Sequence, residues 1–600
     1  MIGWSAMCGG SGTIPIARRW RRLYDGALTQ SGLSYRVSEN NRDNARTLTA
    51  SNGRTDAEPV SWRELLLVAG MFAILTIAYT YPQVRYLATH SGNHYDALFG
   101  VWRVAWIAHQ LAQDPVHLFD ANIFYPERGT FAYSDAVLLP GLSSAVLIWL
   151  GTPTVVAHNL LLLISFVASG VTMYMLARCF TRSVLAGAFA GVVFAFQPFR
   201  FAHYSQLEVL WGWWIPLAFW ALHRVLTRKR VTDGVLLGAI VAMQAWSSIY
   251  YAVFLMTGLA ALSVVLLIRW PLRKPVGLTR PTVAAALVCV VLVGPYLVPY
   301  WKASRIVGGR GQAETREWSA TLSNYLAVPG QNWLYGRTTA RFGSGVEGIM
   351  FPGLVAIVLA VVGAGPPWNR RRLAYVVLLI VAFDLSLGFN GFTYRVFYPV
   401  MWPYHALRVP ARMFVVVSAA LAILAAEGLK RISDRIPGRL ARRSFGVVAT
   451  TLALLESAST PLALTPIPVP PVSVYSWLRT QPPSVVLEWP VPHASTLGLT
   501  REPLYMYYST LHWHRLVNGY SGFYPEVYIR SLDVLETFPD REAVQRLRRL
   551  GVAYVILHSE FAPERYVQLR NQLVEHPDFE SIMVERTGVQ ETTVFRLRVS

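Results

Sequence analysis

The stretch "AVLLPGLSSAVLIWL", residues 136–150, decides how this chain threads a bilayer. An earlier apolar run, at about 64–82, follows a segment carrying Arg18, Arg19, Arg21, Arg22, Arg46, Arg54 and Arg63, which places that end in the cytoplasm. If 136–150 crosses, every later basic connector points outward, against the charge rule. If it lies in the interface or dips in and returns, the connectors beginning near Arg178, Arg224, Arg269, Arg370 and Lys430 all point inward. One decision repairs five loops, so we read 136–150 as non-traversing.

Spans then fall at about 64–82, 155–177, 184–198, 209–226, 232–247, 249–268, 281–299, 350–366, 373–389, 411–428 and 445–463. The expected fold is a polytopic α-helical membrane protein of about eleven transmembrane helices, N-terminus inside and C-terminus outside, with a long first outer loop at 83–154.

Composition agrees. Of 600 residues 53% are apolar and 15% charged, against about 25% charged in soluble proteins. The formal charge of +20 would suggest nucleic acid in a soluble protein, but it gathers in short connectors such as "TRKR" (227–230), "NRRR" (369–372) and "GRLARR" (438–443). That excludes nucleic acid as a partner. Cys8, Cys179 and Cys289 form no CxxC and suggest neither a thiolate metal site nor a disulfide framework. Residues 1–60 lack a signal-peptide pattern and read as a disordered cytoplasmic tail, unless the start codon is misplaced.

Five prolines in "TPLALTPIPVPPVSV" (460–474) mark a linker. Beyond it, "SVVLEWPV" (484–491), "VAYVILHS" (552–559) and "TVFRLRV" (593–599) read as strands and "REAVQRLRRLG" (541–551) as a glycine-capped helix. A small extracytoplasmic α/β domain over 466–600 is expected.

In "HSGNHYDALFGVWRVAW" (90–106) one acid, Asp96, stands among aromatic and aliphatic residues. It is either a solvated loop carboxylate or helix N-cap, or a functional group at the membrane boundary. The helical spacing of Trp102 and Trp106 in "FGVWRVAWIAHQL" predicts an amphipathic helix lying at the lipid headgroups, with Asp96 at its start.

One span, a long outer loop with an early acid, a juxtamembrane helix and a second span ending in "YMLARCFTRS" (174–183) together resemble the GT-C glycosyltransferases. "DPVHLFDANIFYPERGTFAYSD" (114–135), "FQPFRFAHYSQLEVLWGWWIPLAFWALHR" (196–224) and "LVNGYSGFYPE" (516–526) are similar to a largely uncharacterised bacterial subgroup of that superfamily, over roughly 64–600. The resemblance implies a plasma or inner membrane enzyme that moves a sugar from a polyprenyl-phosphate carrier to an envelope glycan, lipid or protein acceptor on the outer face.

The family's first-loop acid falls on Asp96, as general base or acceptor-positioning carboxylate. Its second outer-loop acid falls on Glu208, with His203 beside it. Where relatives often pair the first acid, this chain has Asn93 and His94, a departure that counts against a metal; no cofactor is certain and a divalent metal is possible. Sugar transfer passes through an oxocarbenium-like state, and the leaving phosphate calls for cations. Arg200, Arg305, Arg310, Arg408 and Arg412 are the outward candidates, unless Arg408 and Arg412 only neutralise anionic lipid.

His94 and His203 are otherwise polar interface residues; Asp120, Glu127 and Asp135 are second-tier acids. Trp211, Trp213 and Trp214 suit an aromatic belt. Tyr507, Tyr508, His512, His514, Asn518, Tyr520 and Tyr524, near Glu488, suit either acceptor contact or a domain–membrane interface.

Two other functions compete. A lipid-linked glycan transporter or flippase would use intramembrane acids such as Asp384 and Glu456, and a non-catalytic envelope assembly protein would keep the frame without the chemistry.

Overall fold

A computed structural model describes residues 60–92, 95–268, 277–309, 311–499 and 501–598. His94, Asn93 and Arg310 therefore lie outside the described residues, as does the 1–59 tail. The chain falls into two compact units, one ending at Leu67 and the other covering Val68–Ser600, and the site belongs to the second.

The apolar runs become helices where the periodicity places them: α1 (Trp62–Tyr79), α2 (Tyr95–Gln113), α3 (Leu138–Trp149), α4 (Thr154–Thr181), α5 (Val184–Ala195), α6 (Trp214–Arg228), α7 (Val231–Ser247), α8 (Ile249–Leu267), α9 (Thr279–Val307), α10 (Leu354–Ala364), α11 (Arg370–Ser386), α12 (Phe414–Arg435) and α13 (Arg439–Ser457). Among the described residues six helical segments are long and apolar enough to cross a membrane: Trp62–Tyr79, Thr154–Thr181, Val184–Ala202, Ile249–Leu267, Thr279–Val307 and Pro410–Arg435. The protein is a multi-pass membrane protein. At its centre stands α12, buried along Phe414–Leu429.

The 136–150 stretch supplies α3, whose 12 residues reach about 18 Å at 1.5 Å per residue, short of a hydrocarbon core of about 30 Å. It packs on α2, with Gly141 against Ile107 and the Trp149 indole donating to the Ala108 carbonyl at 3.1 Å.

The α2 helix departs from the expected headgroup helix, for Ala97–Ala108 are all buried in protein. Trp102 stacks between Phe99 and Trp106, and its indole donates to Asn122 Oδ1 at 3.2 Å. The segment that follows α2 folds back over the aromatic face that spacing alone assigns to lipid.

Just before Asp96, β1 (His90–Gly92) pairs antiparallel with β2 (Leu464–Pro466) from the proline-rich linker. Asn159 of α4 donates to the Leu87 and His90 carbonyls at 2.8 Å each, fixing this ribbon on the helices.

Past the linker lie α14 (Val472–Thr480), α15 (Glu502–Ser509), α16 (Glu526–Leu535), α17 (Arg541–Arg549) and α18 (Pro563–Glu575). With them come β3 (Val485–Trp489), β4 (Arg515–Leu516), β5 (Val552–His558), β6 (Phe579–Thr587) and β7 (Gln590–Leu597). The sheet order is β4-β3-β5-β7-β6, parallel across β4, β3 and β5 and antiparallel from β5 to β6.

Residues alternate across it: Val485, Leu487, Val555 and Leu557 enter one core with Leu547 and Leu569, while Val486, Tyr554 and Ile556 enter another with Tyr475 and Leu504. Both faces are covered, which explains why β3 and β5 read as continuous apolar runs.

Candidate functional site

Asp96 lies in the first turn of α2, where the helix dipole favours a negative charge. Both carboxylate oxygens are held. The Tyr520 hydroxyl donates to Oδ1 at 2.8 Å, and Gln206 Nε2 donates to Oδ2 at 2.7 Å. Gln206 Oε1 in turn accepts from Arg412 Nη2 at 3.2 Å, so both ends of this amide are fixed by their partners. Burial and the Asp96 charge push the Tyr520 hydroxyl well above its ordinary pKa, which keeps it a donor.

These partners come from distant elements. Tyr520 follows β4, Gln206 precedes the short turn Leu207–Leu210, and Arg412 stands just before α12. The helical frame and the sheet-bearing segment thus meet on one carboxylate.

Arg412 is not free. Glu347 Oε1 accepts from its Nε at 2.9 Å and its Nη2 at 2.5 Å, while Glu347 Oε2 faces His203 Nε2 at 3.0 Å. Burial alone would raise the Glu347 pKa, but Arg412 and His203 outweigh it and hold the carboxyl well below the usual range. The candidates His203 and Arg412 therefore do come together, through a residue that sequence reasoning missed. Glu347 sits in "GSGVEGIM" (343–350) and has no charged neighbour in sequence to mark it.

Glu208 lies nearby but on another partner. Arg103 Nη2, on the same α2 face as Asp96 two turns on, donates to Glu208 Oε2 at 2.8 Å, and Arg103 Nη1 donates to the Asp135 carbonyl at 2.8 Å. The Asp135 carboxylate accepts from the Ser248 hydroxyl and the Ile249 N–H, 2.9 Å each, at the start of α8. Burial and then the Glu208 charge push Asp135 up to about 6. The signal for Arg103 was an arginine inside "VWRVAW" (101–106), where only a buried partner makes its charge tolerable.

Arg408 is the cation best placed for an incoming anion. It is about a third exposed, its Nη1 meets Glu314 only at 3.8 Å, and its charge acts on both the Tyr520 and Tyr524 hydroxyls. Arg305 is exposed in the last turn of α9, over the Trp301 ring. Arg200 is buried against the Phe166 ring and donates to Ser165 at 3.3 Å, so the structure does not bring it to Asp96.

The two acids that the sequence places in apolar spans, Asp384 and Glu456, act as helix caps. Asp384 accepts from the Phe392 and Thr393 backbone N–H groups, and Glu456 accepts from Leu354 and Val355 N–H at the start of α10 and from the Tyr335 hydroxyl.

Among the described residues no three His, Cys, Asp or Glu side chains converge as metal ligands. Among the described residues, Asp96 is hydrogen-bonded at both oxygens and Glu208 and Glu347 are each paired with an arginine, so these three acids do not converge on a divalent cation. Two small cavities, of about 20 and 10 Å³, lie elsewhere, beside Gln197 and Glu456 and beside His558 and Glu591.

No family model matches the chain, and no curated protein does. Among solved structures it is similar to the archaeal oligosaccharyltransferase AglB from Archaeoglobus fulgidus, in complex with an inhibitory peptide and a dolichol-phosphate. That match is 12% identical, covers 83% of this chain and 70% of that one, and has a TM-score of 0.49. It is also similar to ArnT from Cupriavidus metallidurans bound to undecaprenyl phosphate, at 12% identity, 88% and 97% coverage and a TM-score of 0.44. Neither transfers a role to any residue here.

Proposed function

We propose that the protein is an integral membrane glycosyltransferase that moves a sugar from a polyprenyl-phosphate carrier to a hydroxyl-bearing envelope acceptor on the non-cytoplasmic face. The observation that carries this reading is the setting of Asp96: a carboxylate fixed from two sides where the helical frame meets the terminal sheet segment, with the charge of the partly exposed Arg408 acting on its partner Tyr520. The sequence resemblance to GT-C enzymes supports the substrate class.

Tyr520 and Gln206 hold the Asp96 carboxylate in place, and a positioned carboxylate is the group that takes the proton of an acceptor hydroxyl. As that oxygen bonds to the anomeric carbon, its proton passes to Asp96. The bond from the anomeric carbon to phosphate oxygen breaks, and its electron pair leaves with the phosphate. Arg408 meets the charge that gathers there. Arg412, satisfied by Glu347, orients Gln206 and through it Asp96.

Asp96→Asn tests the proposal. Envelope glycans and lipid carriers analysed by mass should show the product falling by about 10²–10⁴-fold at unchanged protein level. Unchanged product sinks the reading, and an unflipped carrier accumulating in a strain without the protein would replace it with transport.

A further inference from the structure

The loop that brings Tyr520 to Asp96 is held by a second buried carboxyl, Glu502, in the first turn of α15. Glu502 is 1% exposed, and among the described residues no cation pairs with it. Its two oxygens accept in different directions: Oε1 from Asn518 Nδ2 at 3.2 Å, and Oε2 from the Gly519 backbone N–H at 2.9 Å. The buried Tyr528 hydroxyl, which has no well-formed hydrogen bond of its own, faces the same carboxyl.

Asn518 spends the rest of its amide on β3. Its Oδ1 accepts from the Glu488 N–H at 2.7 Å, and its Nδ2 also donates to the Glu488 carbonyl at 2.9 Å. One side chain thus joins the end of a central strand to Glu502.

Behind Gly519 there is no slack. A Cβ there would meet the Phe124 ring at 2.6 Å, so Gly519 is pressed between Phe124 and Glu502. The Tyr520 N–H then points at Met506 Sδ, one turn along α15 from Glu502. With residues 518–520 fixed on both sides, the Tyr520 ring has little freedom except to lie edge-on to Phe99 and reach Asp96.

We infer that Glu502 is a positioning residue that seats Tyr520 on Asp96 through Asn518 and Gly519. This deepens the reading of Asp96 above and rests on it. Burial pushes Glu502 up to about 8, which suits a buried carboxyl with no cation beside it. A glutamine of equal size cannot replace it, because its amide would turn a donor toward either Asn518 Nδ2 or the Gly519 N–H.

The test compares full-length Glu502→Gln, Tyr520→Phe and their double variant in membranes, with Glu502→Asp as a second probe should the glutamine variant fail to accumulate. Hydrogen exchange over residues 516–524 and envelope product by mass analysis are both read. In Glu502→Gln, exchange at Gly519 and Tyr520 should rise at least about fivefold and product should fall about tenfold. The double variant should fall no further than Tyr520→Phe alone, since both act on one contact.

Unchanged exchange, or losses that multiply in the double variant, would overturn the inference. If Asp96→Asn keeps its product, the glycosyltransferase reading fails, and the exchange measurement alone still decides whether Glu502 seats the loop.

Discussion

At the residue scale the site is a set of satisfied charges more than a set of exposed ones. Arg412, an expected phosphate donor, is committed to Glu347, 7% exposed, with two of its N–H groups on the one oxygen Oε1. Removing one member of such a pair leaves the other charge buried alone, at a cost of about 3–5 kcal/mol. Glu347→Gln should therefore lower stability by that order in thermal unfolding.

The pH dependence has a definite sign. A carboxyl whose folded pKa lies below its unfolded value of 4.5 contributes fully above that value and loses its contribution as pH falls toward the folded pKa. The wild type should thus lose stability more steeply than Glu347→Gln below about pH 4.5, read as the difference between their acid melting curves.

Asp96 stood out in the sequence because a carboxylate among aromatic residues is anomalous. Gln206 and Glu347 did not stand out, because a neutral amide carries no charge signature and Glu347 meets its partners only through the fold.

At the scale of elements, hydrophobic periodicity located the long helices and the strands β3, β5 and β7, since each buries a repeat its neighbours must match. It mis-set the surroundings of α2, because an apolar aromatic face looks the same whether lipid or protein covers it. The short β4, the β1–β2 ribbon and β6, most of which is open to solvent, carry too little apolar pattern to be read.

Close helix packing is also written in small residues. A Cβ at Gly363 of α10 would lie 1.8 Å from the Leu424 carbonyl oxygen of α12, and one at Gly428 would lie 1.8 Å from that of Leu359. These obstacles are backbone, which cannot rotate away, so the two helices approach as closely as only glycine permits. Gly363→Val should push them apart at a cost of about 1–3 kcal/mol or more, seen as a lower melting temperature and a smaller folded fraction after detergent extraction.

At the scale of the whole molecule, the terminal sheet is part of the frame that carries Asp96, because its β4 edge is occupied by the segment that follows α2. The Leu516 N–H donates to the Asn122 carbonyl at 2.8 Å, Phe124 N–H to Asn518 at 3.0 Å and Tyr125 N–H to Leu516 at 2.9 Å, so residues 122–125 extend the sheet beyond β4. An open edge invites pairing with another chain, and on the β4 side this chain covers it with residues of its own. Asn122 ties three parts together: Oδ1 accepts from the Trp102 indole on α2, while Nδ2 donates to the Ser509 hydroxyl on α15 and to the His514 carbonyl. Asn122→Ala leaves the buried Trp102 N–H and His514 carbonyl without that partner, at about 1–3 kcal/mol for each group. Because those bonds join α2 to the segment that delivers Tyr520, the substitution should raise hydrogen exchange in 514–520 and in 99–106 together. Exchange rising in only one of them would mean that the two halves hold their shape independently and that Asp96 is not positioned by their union.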